Sequence, residues 1–563
     1  MKDTVLPPKE DILGYECRFV VFCQNKYSED DMHLVKEIIH LKDGRQIPHL
    51  RKLYNYQRPF WVAKKACRNY TQPKEWANIE DLREFKSTQS RLGFSIAKAL
   101  EKPGFTGDIR SLYKSPYLYG ADILSTALIK QRYIKHFPDL ITPYSIACFD
   151  TEKDMAKGTG QINMATISFK ERVFTAIDKS FFEGYTDVLN RLQQALMKYL
   201  GDYVKKRNIT WEVKLVDSDT DVIISCMNKM HEWKPDFLAI WNMNFDVPLM
   251  VESLKKKNIN PAWVFSDPSI ENEFKFFRYK QGPNKKITDS GVVMSLKPAE
   301  QWHTVYTPSS SYFIDAMCVY QKLRIAEGSE QSYALDAILN KELGIRKLKF
   351  KEAEHLTKAD WHIFMQEKYP FEYVIYNVFD CISMEELDEK TSDLQFSLPL
   401  FSGPSDFANF KSQPRRLVDN LHFVCLDQNK VIGVTSTELK SDLDTKTVPV
   451  SELIVTLAPT LRTQEGLKCI AENPNLRTNI YTNVADLDVS SSYPSNQAVF
   501  NISKETTKKE LISVEGKEWS DVKLQTINLS GGYTNAVEFC TELLDLPTLD
   551  TLLDQFKEDQ HLE

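Results

Sequence analysis

Apolar positions along this chain repeat with two periods. Runs rich in β-branched and aromatic residues read as strands, for example Glu16-Cys17-Arg18-Phe19-Val20-Val21-Phe22-Cys23. The stretch Tyr56-Gln57-Arg58-Pro59-Phe60-Trp61-Val62-Ala63-Lys64-Lys65 reads as a strand with one wet face, and its basic and aromatic residues also suit nucleic acid. From Pro143 onward, strand-like segments come first and then alternate with helical periods, as in an α/β domain. Residues 236–250 predict a buried strand, a turn at the Asn residues, and a helix begun near Pro248. Residues 371–384 carry helical apolar spacing, which sets Tyr376 and Asp380, at i and i+4, on one face. Ser, Pro and Gly crowd 396–405, marking a linker or return loop. Beyond it β-branched residues reappear at 448–457, a strand-like run ends at Val489, and Leu549, Leu552, Leu553 and Phe556 form a helical stripe. The pattern therefore predicts an α/β multidomain chain: 1–143, 144–390, a connecting or returning segment 391–440, and 441–563.

At 563 residues, with 42% hydrophobic and 11% aromatic, the chain has more than enough apolar material for several cores and is neither a peptide nor a disordered polymer. No apolar run approaches the ~18–20 residues that span a bilayer, so no membrane partner is expected. The N-terminal residues mix both charges with prolines, unlike a secretory leader. Ten cysteines are scattered without a Cys-x-x-Cys pair, which predicts buried thiols in a reducing compartment and argues against structural zinc. The formal charge of −7 leaves nucleic acid open as a partner, because charge can be segregated into clefts.

Carboxylates supply the candidate chemistry. In Phe149-Asp150-Thr151-Glu152, residues i and i+2 share one strand face, so Asp150 and Glu152 crowd two like charges. A divalent cation, Mg²⁺ or Mn²⁺, relieves that repulsion. Asp246 stands at the junction of a strand and a helix, where a plain cap is the simpler account of an isolated motif. Tyr376 and Asp380 present a phenol and a carboxylate together.

In this order, Asp-x-Glu, Asn-x-x-Phe-Asp (242–246) and Tyr-x-x-x-Asp (376–380) resemble the three exonuclease motifs of the DEDD superfamily, in its DEDDy branch. The resemblance implies an RNase H-like domain at 144–390 in which Asp150, Glu152, Asp246 and Asp380 hold two Mg²⁺ or Mn²⁺ ions. Tyr376 would orient the attacking water, and Asn242 and Phe245 would contact DNA. Further on, Asp486-Leu487-Asp488-Val489-Ser490-Ser491-Ser492-Tyr493-Pro494-Ser495 is similar to motif A of family B DNA polymerases, with Ser492 in place of the usual Leu. The following Asn501-Ile502-Ser503-Lys504-Glu505-Thr506 resembles polymerases of T-even-type bacteriophages. That likeness makes Asp488 a ligand of the polymerase metals and places Ser491 and Tyr493 at the nucleotide. Asp219-Thr220-Asp221 mimics another palm motif but lies upstream of motif A, so it reads as a loop and helix start. Lys255, Lys256 and Lys257 read as a basic last turn.

No fingers motif and no second palm carboxylate follow Ser495. The resemblance therefore implies the amino-terminal part of a split phage replicative polymerase: an N-terminal domain, a 3′→5′ proofreading exonuclease, and a partial palm lacking fingers and thumb. Its expected partners are primer-template DNA, a single-stranded 3′ end, a fragment bearing the missing palm, fingers and thumb, dNTP once that fragment is present, and a sliding clamp. The host cytoplasm is the expected location. The rival readings are a free-standing exonuclease and a non-catalytic DNA-binding assembly subunit.

Overall fold

Six apolar-rich segments after Pro143 assemble into the largest sheet: β1 (Ile146–Lys153), β2 (Ile162–Phe169), β3 (Arg172–Asp178), β4 (Thr210–Val216), β5 (Phe237–Ile240) and β6 (Tyr312–Asp315). Their order across the sheet is β4-β3-β2-β1-β5-β6. β1, β2 and β3 form an antiparallel meander, while β4 joins β3, β5 joins β1, and β6 joins β5 in parallel. Within this sheet β2 therefore runs against all the others. All eight residues of β2 are buried, as a strand covered on both faces requires.

The cover is helical. α1 (Val188–Arg207), α2 (Asp219–Trp233), α3 (Met243–Lys256), α4 (Ala316–Leu323), α5 (Leu335–Leu343), α6 (Lys358–Lys368) and α7 (Pro370–Thr391) surround the sheet. On one face Met164, Val173 and Ile177 pack with Leu192 and Leu196 of α1 and Val374 and Val378 of α7. On the other, Phe149, Ile167 and Phe174 pack with Val222 and Met227 of α2 and Val247 and Met250 of α3. The strand period of two divides the side chains of β1 between these faces.

This computed structural model describes residues 6–68, 75–102, 104, 106–287, 293–324, 328–356, 358–395, 413–434, 526–529 and 532–535. The chain divides into two compact units, 1–449 and 450–563. In the second, the described strands Thr526–Leu529 and Gly532–Asn535 pair antiparallel. In the first, Ile12–Gln24, Asp31–Leu41 and Gln46–Tyr54 make an antiparallel sheet, and Arg58–Ala63 pairs with Leu82–Ser87 and Leu118–Tyr119. Lys430–Ile432 pairs with Trp76–Asn78, bringing the chain back to its amino-terminal region. A shared core crosses position 143: Phe19, Val21, Met32 and Leu34 pack with Ile146, Phe237, Tyr312 and Ile314. Fully buried Lys36 bridges the same elements, donating to the carbonyls of Lys234 (2.7 Å) and Ser310 (3.0 Å).

The fold is thus mixed α/β with several sheets, and among the described residues no helix is long and apolar enough to cross a membrane. Eight described cysteines are free thiols, six of them buried. Two local expectations differ from the structure. Arg58–Ala63 has no wet face, because the Arg58 guanidinium is buried on the Gly120 and Ala121 carbonyls and Gln89 Oε1, protein acceptors that replace water. The helix carrying Asp246 starts at Met243, not near Pro248, and its first amide donates to the buried carboxylate of Asp315 (3.1 Å). That partner comes from β6, 72 residues away in sequence, so local pattern does not reveal it. The segments 448–457 and 541–556 lie outside the described residues.

Candidate metal centre

β1, β5 and β6 run parallel, so their carboxyl ends share one edge of the sheet. At this edge the alternation of β1 turns Asp150 and Glu152 toward α7 and Thr151 toward the opposite face. α7 answers with one stripe, Tyr373, Tyr376, Asn377 and Asp380, at the i, i+3, i+4, i+7 spacing of a single helix face. One carboxylate oxygen each from Asp150, Glu152 and Asp380 lies within 4.8 Å of the other two. Glu152 and Asp380 are buried and Asp150 is partly so.

Each carboxylate is fixed by neighbours. Asp150 Oδ2 accepts from Asn377 Nδ2 at 2.7 Å, and Glu152 Oε2 accepts from the Tyr373 hydroxyl at 2.5 Å. His362 Nδ1 lies 2.8 Å from that hydroxyl. Asp246 reaches the site from the other side of the sheet: its Oδ1 accepts from the Thr151 amide (3.1 Å) and the Thr151 hydroxyl (2.6 Å). This grip explains why Asp246 borders the three-carboxylate group without joining it. The turn after Glu152 is tied to α6 by Gln366, which accepts from the Met155 and Ala156 amides and donates to the Lys153 carbonyl.

Crowding of like charges in a poorly hydrated place shows in the acidities. Burial, then Asp246, Glu152 and Asp380, holds the Asp150 carboxyl well above the usual range. Burial also pushes Glu152 up to about 8, the Tyr373 hydrogen bond working against it, and Asp246 up to about 7, with the Thr151 bonds opposing. Asp380 is raised by burial and partly relieved by Lys347. The Lys347 ammonium donates to Asp380 Oδ2 and, at 3.0 Å, to the Tyr376 hydroxyl. Although burial disfavours its charge, Asp380, Tyr376 and Asp150 keep this lysine well above its ordinary value. Burial and Asp380 raise the Tyr376 phenol, so it is neutral near pH 7 and acts through its hydrogen bonds.

The donor set is all oxygen, which suits Mg²⁺ or Mn²⁺ over softer metals. Asp380 Oδ1 is buried without a hydrogen-bond partner, an uncompensated acceptor that a cation would satisfy. On both grounds Asp150, Glu152 and Asp380 can hold a metal ion. Asn242 and Phe245 lie exposed at the start of α3, with the Lys153 ammonium 5.4 Å from the centre of the Phe245 ring. Asp488, Ser491 and Tyr493 lie outside the described residues.

Sequence reasoning passed over Lys347, Asn377, Tyr373, His362 and Asp315. Asn377 and Tyr373 share the helix face of Tyr376 and Asp380, so their spacing carried the signal. Lys347 lies in a segment without periodicity and Asp315 at a strand end, and nothing local marks either. The sequence matches no protein-family model and no curated protein.

Proposed function

We propose that this chain is a two-metal 3′→5′ exodeoxyribonuclease acting on single-stranded DNA ends. The observation that carries the reading is the convergence of Asp150, Glu152 and Asp380 within 4.8 Å, with Asp246 bonded to the residue between the first two. The match of these positions, in order, to the DEDDy motifs supports it, and a sheet with one reversed strand supports an RNase H-like domain. Held by Asp150, Glu152 and Asp380, divalent ions would supply an activated water and stabilise charge on the departing 3′ oxygen. The chain's own groups then have defined tasks. Tyr376, neutral and anchored by Lys347, orients the water; Lys347 offsets excess negative charge at Asp380; exposed Phe245 beside Lys153 offers a base a stacking surface next to a cation. By the motif A likeness, Asp488, Ser491 and Tyr493 belong to a polymerase palm, and the chain to a family B phage polymerase acting in the host cytoplasm.

The test is trimming of a 3′-fluorescent oligonucleotide in Mg²⁺. The wild-type chain shortens it from the labelled end, and Asp150→Ala combined with Glu152→Ala abolishes shortening. Trimming that persists in the double variant, or that proceeds equally in excess chelator, overturns the reading.

A further inference from the structure

A row of polar side chains crosses the apolar sheet beneath the carboxylates. Asp150, Thr166 and Thr175 are direct cross-strand neighbours on β1, β2 and β3. Both threonines and Asn377 are fully buried. The Trp211 indole of β4 donates to Thr175 Oγ1 at 2.9 Å, the Thr175 and Thr166 hydroxyls lie 2.9 Å apart, and Thr166 Oγ1 is 2.6 Å from Asn377 Oδ1. Asn377 Nδ2 reaches Asp150 Oδ2 at 2.7 Å.

The two ends of this chain impose one direction on it. An indole N–H can only donate, and a carboxylate that holds a metal ion is ionised and can only accept. Thr175, receiving the indole, passes its single proton to Thr166, which passes its own to Asn377 Oδ1. The amide is thereby fixed with its NH₂ toward Asp150. The flipped amide would set its oxygen against the carboxylate and leave a buried hydroxyl proton without an acceptor, at a cost the aligned arrangement avoids.

We infer that Trp211, Thr175, Thr166 and Asn377 act as one positioning relay that orients the Asp150 carboxylate toward the metal. The inference rests on the proposed metal site and adds to it residues up to three strands away. Asn377 is a positioning residue here, as are the two threonines and the tryptophan. A hydrogen bond that fixes a metal-binding carboxylate typically changes metal affinity by 10- to 100-fold when lost. The threonines matter for their hydroxyls, not their shape, which separates this role from simple packing.

The experiment measures Mn²⁺ binding to the full chain by calorimetry and electron paramagnetic resonance, with circular dichroism confirming that each variant is folded. Thr166→Val and Asn377→Leu are expected to weaken Mn²⁺ by about 10- to 100-fold, while Thr166→Ser stays within about twofold of wild type. Combining Thr166→Val with Asn377→Leu should cost no more than the worse single change, since both break one chain. Should Thr166→Val fail to fold, Trp211→Phe, at the partly exposed sheet edge, carries the test with an expected loss of about two- to fivefold. Wild-type affinity in the folded relay variants, alongside loss of binding in Asp150→Ala, overturns the relay and leaves the metal site standing. Undiminished binding in Asp150→Ala overturns the metal site, and the relay with it.

Discussion

Asp150, Glu152 and Asp246 keep protons that the same groups release near pH 4 in an unfolded chain, because burial and mutual repulsion disfavour their charged forms. A folded state that binds more protons than the unfolded one loses stability as pH rises. The contribution of these carboxylates is therefore full below about pH 4 and is lost as pH climbs through the folded values, about 7 for Asp246 and about 8 for Glu152. In chelator, the melting temperature should fall from pH 5 to pH 8, and Glu152→Gln should flatten that slope by replacing the acid with a neutral amide. Saturating Mg²⁺ should restore most of the loss at pH 8. A slope identical in wild type and Glu152→Gln, measured by thermal unfolding, would contradict this account.

Among the elements, α3 and α4 depend on one side chain. Asp315 accepts the Met243 amide at the start of α3 on Oδ2 and the Cys318 amide in the first turn of α4 on Oδ1, so a single carboxylate caps both helices. Asp315→Ala leaves two buried amides unpaired, and about 2–4 kcal/mol of stability should disappear. Asp315→Asn keeps one acceptor oxygen and should lose about half as much. Denaturant unfolding reads both, and equal stability of the alanine variant and wild type would refute the shared cap. Because α3 carries Asp246, the alanine variant should also weaken the proposed nuclease activity with every candidate metal-binding carboxylate still present. α7 shows the opposite case: its 22 residues place Tyr373, Tyr376, Asn377 and Asp380 on one face by periodicity alone, with no outside partner needed.

Within the first unit, the amino-terminal sheet and the site-bearing sheet share a core. Phe19, Val21, Met32 and Leu34 cover Ile146, Phe237, Tyr312 and Ile314, and Lys36 satisfies two carbonyls across the same boundary. Expressed alone, residues 144–395 would expose that apolar face and leave the Lys234 and Ser310 carbonyls without the ammonium. We expect this fragment to aggregate and to bind a hydrophobic dye strongly, in contrast to residues 1–434. A monodisperse, cooperatively melting 144–395 fragment would show that the shared core is dispensable. Sequence punctuation at Pro143 marks a change of pattern, but a pattern boundary says nothing of which surfaces the two sides bury against each other.

Local periodicity was enough to place Asp150 beside Glu152 and Tyr376 beside Asp380, because side-chain direction within one strand or helix follows from backbone geometry a few residues long. Which strand lies next to which was decided elsewhere: the insertion of β5 against β1, the approach of Asp246 from the far face onto Thr151, the arrival of Lys347 at Asp380, and the reach of Asp315 to Met243 all join residues distant in the chain. Such contacts depend on sheet order and on how whole faces exclude water, and only the folded chain brings those influences to bear on a single carboxylate.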